Sequence, residues 1–254
     1  MKVMLVPSSV SEPGVQQFLT SFLINDTLAI DAGAIGFFAD PPTQARCRHL
    51  LLSHYHIDHI ASLPILLDNI ALLGDAPLTL HCSRHVYDCL RRDMFNFRFW
   101  PDFFALSTEA ATFVRFEPLE AGQTVVLEGL RITAVSVNHV VPTLGFLIES
   151  DTASIVIASD TGPTEEIWTK TNQLPNLRAV FLEACFPNEL ASLAEVSKHL
   201  TTEGFAREVQ KVNPGPRLFA VHLKARYHAQ IRAELESLKL PNVEVAEPGK
   251  WYQF

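Results

Sequence analysis

One stretch constrains this chain more than any other: Ser53-His54-Tyr55-His56-Ile57-Asp58-His59, set directly after the apolar run Leu50–Leu52. Three histidines and an aspartate fall within six residues, at the end of what reads as a buried strand. In an extended segment leaving a strand, residues two apart point the same way, so His54 and His56 can reach one ion. Asp58 and His59 lie beyond a turn and can serve a second. Imidazole combined with carboxylate suits zinc, iron or manganese rather than calcium or magnesium. The chain has the means to hold such a cluster rigidly. With 48% hydrophobic and 19% charged residues, it is not a disordered chain, which needs low hydrophobicity and high net charge.

Partners for the cluster occur downstream. His139, Asp160 and His222 each come just after an expected strand, namely Arg131–Val137, Ser154–Ser159 and Leu218–Val221. Loops at strand ends are where sites on a rigid scaffold are usually built. His49, His81, His85 and His228 fall in no such pattern and read as structural or surface residues.

Further short apolar or β-branched runs read as strands at Val3–Val6, Leu28–Ile30, Leu50–Leu52, Thr79–Leu80, Thr124–Leu127, Gly145–Ile148 and Ala179–Leu182. Arg131–Val137 alternates, which predicts that one face of that strand meets a core. Helical patterns cover Leu63–Leu73, Arg84–Phe95, Leu190–Lys198, Thr202–Val212 and His228–Leu238, with Thr201 or Thr202 as a cap and Glu203 in the first turn. Both halves mix strands with helices, and no internal repeat is visible. This predicts an α/β chain in a four-layer αββα sandwich, two mixed sheets with helices on both outer faces. Periodicity alone does not separate it from a Rossmann sheet.

At 254 residues the chain is expected to form one domain over 1–254, with an aromatic-rich insertion around 91–113. There Phe95, Phe97, Phe99, Trp100, Phe103 and Phe104 put six aromatics in ten residues. They read as core packing, as a hydrophobic wall for a substrate, or as a contact in a homodimer. Cys47, Cys82, Cys89 and Cys185 show no CxxC spacing and are expected as free thiols in a reducing compartment. No signal-peptide core and no apolar run of about 18 residues is present, so the expectation is a soluble, cytoplasmic protein without a membrane partner. The net charge of −8 argues against nucleic acid as a partner, because backbone phosphates are gripped by a basic surplus.

HYHIDH, then His139, then Asp160 within Ala158-Ser159-Asp160-Thr161-Gly162, then His222, resembles the metallo-β-lactamase superfamily. The resemblance covers nearly the whole chain, including Leu28-Ala29-Ile30-Asp31-Ala32-Gly33 upstream. It implies the αββα fold and two divalent metal ions, zinc first, with iron or manganese as the others. By that match His54, His56 and His139 hold one ion, Asp58, His59 and His222 hold the second, and Asp160 bridges them. Asp31 resembles a supporting residue of the family, more structural than catalytic.

Within the superfamily the chain looks most like the class II cyclic-nucleotide phosphodiesterases. The stretches that carry this are Leu19–Ile24, HYHIDHIASLP, Asp160-Thr161-Gly162-Pro163, and Leu182–Asn188 followed by Ser197–Thr201. That reading implies hydrolysis of a 3′,5′-cyclic nucleotide, a small phosphodiester, by a hydroxide held between the ions and oriented by Asp58. His199 is the candidate acid for the leaving oxygen, because histidine titrates near neutrality. Glu183 is placed to hold its tautomer and raise its pKa. The rival is the transfer-RNA 3′-processing nuclease branch, which also has a Glu-Ala pair and a following His-x-Thr, here Glu183-Ala184 and His199-Leu200-Thr201. His222-Leu223-Lys224-Ala225-Arg226-Tyr227 leans that way as well. A lactonase or thioesterase would keep the fold and metals and change the bond cut, and a non-enzymatic metal-binding or regulatory protein would keep the fold without the reaction.

Overall fold

The computed structural model describes residues 1–9, 16–71, 73 and 76–254. Among the described residues, fourteen strands form two sheets of seven. The first sheet holds β1 (Lys2–Leu5), β2 (Phe22–Ile24), β3 (Leu28–Ile30), β4 (His49–Leu51), β5 (Leu78–Cys82) and β6 (Val114–Pro118). The second holds β7 (Thr124–Leu127), β8 (Leu130–Val137), β9 (Thr143–Glu149), β10 (Ser154–Ile157), β11 (Leu177–Glu183), β12 (Arg217–Val221) and β13 (Val243–Val245). The last strand, β14 (Trp251–Gln253), returns to the first sheet and pairs antiparallel with β1.

The helices are α1 (Pro41–Gln44), α2 (Ile57–Ile60), α3 (Leu63–Ile70), α4 (Arg84–Asp93), α5 (Phe103–Leu106), α6 (Glu166–Thr171), α7 (Ala191–Ser197), α8 (Thr202–Val209) and α9 (His228–Ser237). The helix expected over Leu63–Leu73 is observed as far as Ile70, and Leu72 lies outside the described residues. The first sheet runs β14-β1-β2-β3-β4-β5-β6 and the second β7-β8-β9-β10-β11-β12-β13 across its width. In each, the first three pairings are antiparallel and the last three parallel.

The period of two along each strand assigns side chains to layers. Val3 and Leu5 of β1 join Ala179 and Phe181 of β11 in the core between the sheets. Met4 of β1 and Leu50 of β4 face the other way, where α3 and α4 cover them with Leu66, Leu67, Val86 and Leu90. Val180 and Leu182 face outward from the second sheet onto Trp168 of α6, Phe205 of α8 and Ile231 of α9. Helices therefore cover both outer faces, and the architecture is the αββα sandwich.

The alternation expected for β8 holds only in its first half. Ile132 and Ala134 face the central core while Arg131 is exposed, but Val135 and Val137 are buried in the outer core beneath α6. Thr201 is the residue that caps α8, its hydroxyl accepting from the Gly204 amide. All four cysteines are free and buried.

The aromatic segment divides. Phe95 and Phe103 are buried, and Trp100 and Phe104 pack against the same core. Phe97 and Phe99 stand 63% and 67% exposed at the tip of a turn. There the Asn96 side-chain oxygen accepts from the Arg98 and Phe99 amides, and Phe97 itself sits at φ 60°. A substrate wall made of all six rings is thus not what the fold builds, because the core takes part of the set.

Candidate metal centre

The HYHIDH run leaves β4 extended and turns into α2 within a few residues. His56 occupies the N-cap of that helix, and Asp58 and His59 lie in its single turn, with the His59 amide donating to the His56 carbonyl. This places His54 and His56 on the extended side and Asp58 and His59 on the helical side. The turn is pinned from outside: the Thr20 amide donates to the Asp58 carbonyl, and the Ala32 amide to that of His59. Gly33 is required at this approach, since a Cβ there would overlap the Asp58 carbonyl.

The other members arrive singly from the second sheet. His139 follows β8, Asp160 follows β10 and His222 follows β12. Ser159, just before Asp160, is at φ 58°, and His222 is at φ 56°. Left-handed backbone at residues other than glycine costs of order 1 kcal/mol or more each, and such strain clusters at functional sites.

The seven side chains converge into two groups that share Asp160. His54, His56, His139 and Asp160 offer ligand atoms within 4.8 Å of one another, as do Asp58, His59, Asp160 and His222. His139 Nε2 lies 3.2 Å from His56 Nδ1, His59 Nε2 lies 3.2 Å from Asp160 Oδ2, and His222 Nε2 lies 3.1 Å from Asp58 Oδ2. The Nε2 atoms of His54 and His59 are buried and have no hydrogen-bond partner. Buried polar atoms are normally satisfied, so two orphaned imidazole nitrogens facing a shared carboxylate fit cations between them.

A network behind the imidazoles fixes which nitrogen faces inward. His54 Nδ1 is 2.9 Å from Ser53 Oγ, and that hydroxyl donates its only proton to Asp31. His54 Nδ1–H is then the donor, which leaves the Nε2 lone pair free. His59 Nδ1–H donates to Asp31 Oδ2 at 2.7 Å, and the Ser53 amide donates to Asp31 Oδ1 at 2.8 Å. His139 Nδ1–H donates to the Lys198 carbonyl at 3.1 Å, again freeing Nε2.

Electrostatics follow from burial and the two carboxylates. Burial drives the His54 imidazole well below its ordinary value, with the charge on His59 adding to it, and burial pushes His139 down to about 4. For His59, burial is outweighed by Asp160 and Asp31, and its pKa is raised well above the ordinary value. Asp160 is held well below the carboxylate range, its burial outweighed by His222 and His59. Asp58 is lowered too, its burial outweighed by the hydrogen bond from His222. Both carboxylates are therefore ionised, beside the imidazoles of His54 and His139, which stay neutral, and that of His59, which holds its proton.

Beside the centre lies a second constellation. Glu183, buried at the end of β11, accepts from the Thr161 amide, the Leu200 amide and His199 Nδ1, the last at 2.8 Å. The His199 pKa is raised, its burial outweighed by Glu183. Its ring lies 4.9 Å from that of His139 and stacks on that of His222 at 5.6 Å. Lys198 produces this placement. It ends α7 in the left-handed conformation, at φ 51°, and turns the chain so that His199 faces the centre.

Lys198 Nζ donates to the His139 carbonyl at 3.2 Å, and Lys224 Nζ stands 4.0 Å from Asp58 Oδ2. Sequence reasoning passed over both lysines and Ser53. The signal available for Ser53 was its place immediately before His54; the lysines lie inside stretches that carry the resemblance, Ser197–Thr201 and His222–Tyr227, but show no periodic signal of their own.

All nine expected site residues thus lie together, and His49, His81, His85 and His228 belong to neither group. The expectation that Asp31 is structural needs sharpening, since it orients two of the imidazoles.

The model of the beta-lactamase superfamily domain matches residues 30–223. A protein of Yersinia pestis named "Probable 3′,5′-cyclic-nucleotide phosphodiesterase" is 26% identical over 177 residues, 63% of this chain and 50% of that protein. A Ribonuclease Z of Mycobacterium bovis is 30% identical over 176 residues, 63% of this chain and 58% of that protein. The chain thus spans about half the length of these relatives. The metallo-beta-lactamase fold protein YhfI from Bacillus subtilis superposes with a TM-score of 0.75 at 18% identity, over 99% of this chain and 98% of that one. With the family model running from the end of β3 to just past His222, and the whole fold matched, the chain belongs to the metallo-β-lactamase superfamily.

Proposed function

We propose that the chain is a dinuclear metal-dependent phosphodiesterase whose substrate is a 3′,5′-cyclic nucleotide. The observation that carries this is the sharing of Asp160 between two four-residue groups, with the Glu183–His199 pair against them. On this reading His54, His56 and His139 hold one ion, Asp58, His59 and His222 the other, and Asp160 both. Divalent ions held there supply Lewis acidity, lowering the pKa of water toward neutrality and offsetting charge on phosphate oxygens. Imidazole and carboxylate ligands favour zinc, with iron and manganese next.

The chain's own groups do the rest. Asp58 has an oxygen free to accept a hydrogen bond from the attacking water and orient it. His199 donates Nδ1–H to Glu183, which leaves Nε2 as the atom that passes a proton to the leaving oxygen. Lys224 and Lys198 add positive charge beside the centre in a chain whose net charge is −8.

That net charge supports a single small diester over a long phosphate backbone, and the Yersinia relative supports a cyclic nucleotide. An RNA-cleaving reading has the Ribonuclease Z relative behind it. The test is turnover of 3′,5′-cyclic AMP, 3′,5′-cyclic GMP, a precursor tRNA and bis-p-nitrophenyl phosphate by zinc-, iron- and manganese-loaded protein. Cleavage of a cyclic nucleotide and of the p-nitrophenyl diester, with the tRNA left intact, is the expected result. Trimming of the tRNA 3′ end without cyclic-nucleotide turnover would overturn the substrate, and inertness toward all four would overturn the reaction.

A further inference from the structure

A cavity of about 470 Å³ opens beside His199. Its lining includes His199 itself, Pro163 from the loop after Asp160, Ala191, Glu195 and Lys198 from α7 and its cap, and Arg207 from α8. The volume lies in the range of small-molecule sites and is sufficient for a nucleoside. His199 forms part of its wall and also stands against His139 and His222, so the cavity meets the centre at the residue expected to protonate the leaving alcohol. We propose that the cavity is the nucleoside pocket of the same centre and that it takes guanine in preference to adenine. This rests on the phosphodiesterase reading above.

The selection comes from the polar groups at the rim. Guanine presents acceptors at O6 and N7, and lysine and arginine are the residues that pair with them. It also presents donors at N1 and N2, which a carboxylate accepts. Lys198, Arg207 and Glu195 place both kinds of group around one cavity. Adenine offers a donor at N6 where guanine offers O6, so the cations would meet a donor instead of an acceptor.

The two cations have charge to spare for a ligand. Arg207 reaches Glu203 only at 3.9 Å, an exposed pair of little strength, and Lys198 is engaged by a carbonyl rather than a carboxylate. Pro163 and Ala191 supply apolar surface for the faces of the base and ribose.

The experiment compares zinc-loaded wild type with Glu195→Gln, Arg207→Met and Ala191→Trp, the last filling the cavity without removing a charge. Turnover of cyclic GMP, cyclic AMP and bis-p-nitrophenyl phosphate is measured, and binding of GMP and AMP is followed by calorimetry. Wild type should prefer cyclic GMP by about tenfold or more in kcat/KM, the discrimination expected of a good polar pair to a base. Each variant should weaken GMP binding several-fold and raise KM for cyclic GMP more than it changes turnover of the p-nitrophenyl diester, which has no base. Equal use of the two cyclic nucleotides, or variants that change all substrates alike and leave GMP binding untouched, would overturn the pocket assignment. Absence of turnover on every diester would overturn the phosphodiesterase reading instead, and the calorimetric comparison of GMP with AMP would still decide the pocket.

Discussion

The two sheets have the same plan and spend it differently. β3 and β10 are the strands at which pairing changes from antiparallel to parallel in their respective sheets. Each is followed by a left-handed residue and an aspartate: Asp31 itself at φ 59°, and Ser159 at φ 58° just before Asp160. In the first sheet that aspartate is turned into hydrogen bonds with Ser53 and His59. In the second it faces five imidazoles. The next strand in each sheet shows the reverse division. β4 ends in the run that supplies His54, His56, Asp58 and His59, whereas β11 ends in Glu183, which holds His199 and two amides. One half therefore gives a block of candidate ligands and the support beneath it, and the other gives single residues from several strand ends. The centre forms where the two schemes meet, so it needs both sheets in register.

The sharpest way to break this comparison is to remove the aspartate that serves both groups. Asp160→Ala would leave the two groups, and any cations they hold, with no shared carboxylate, and diester hydrolysis should fall by about a thousandfold or more. Steady-state rates at saturating zinc check it, and a loss below tenfold would demote Asp160 to the standing of Asp31. His199→Ala comes next. It should slow cyclic-nucleotide cleavage about 100-fold with metal content unchanged, and slow p-nitrophenyl diester cleavage much less, because a p-nitrophenolate leaves without a proton.

Asp31→Ala tests the quieter aspartate. It strands the Ser53 hydroxyl and His59 Nδ1, so zinc affinity measured by chelator competition should drop about 10- to 100-fold. Unchanged affinity would mean that the imidazoles are positioned by packing alone.

The smallest effect concerns the pair His49 and His81, on β4 and β5, whose rings meet at 3.0 Å. Burial pushes His81 down to about 4, with His49 adding to it. An imidazole with a lowered folded pKa contributes its full stability above the unfolded value near 6.5. That contribution is lost as pH falls from there toward 4, where the unfolded chain binds the proton first. Urea unfolding across that window should show His81→Gln losing about 2 kcal/mol less than wild type. Parallel curves would place the pH dependence elsewhere.

How much was legible in the sequence follows the same division. The β4 block could be read from spacing alone, because contiguous ligands need only local geometry: an extended stretch and then one helical turn. His139, Asp160 and His222 could be read only as residues following strands, and the resemblance was needed to choose them, since their convergence depends on the pairing of β8 through β12. His199 carries no periodic signal at all. It reaches the centre through the left-handed Lys198, a conformation that glycine or asparagine usually marks and lysine conceals.

The short edge strands β13 and β14 and the brief β2 escaped for want of length. The aromatic segment could not be divided from composition, because the turn at Asn96 decides which rings point out. The shared strand order of the two sheets leaves no trace as a sequence repeat.

The division of labour between the two groups turns on how many ions the centre holds and which residues hold each. Elemental analysis of zinc-loaded wild type, His139→Ala, His222→Ala and Asp160→Ala, after removal of loosely bound metal, reads this in one series. The expected result is close to two ions per chain in wild type, close to one in each histidine variant, and far below one in Asp160→Ala. Two ions retained in Asp160→Ala, or none found in metal-loaded wild type, would contradict it.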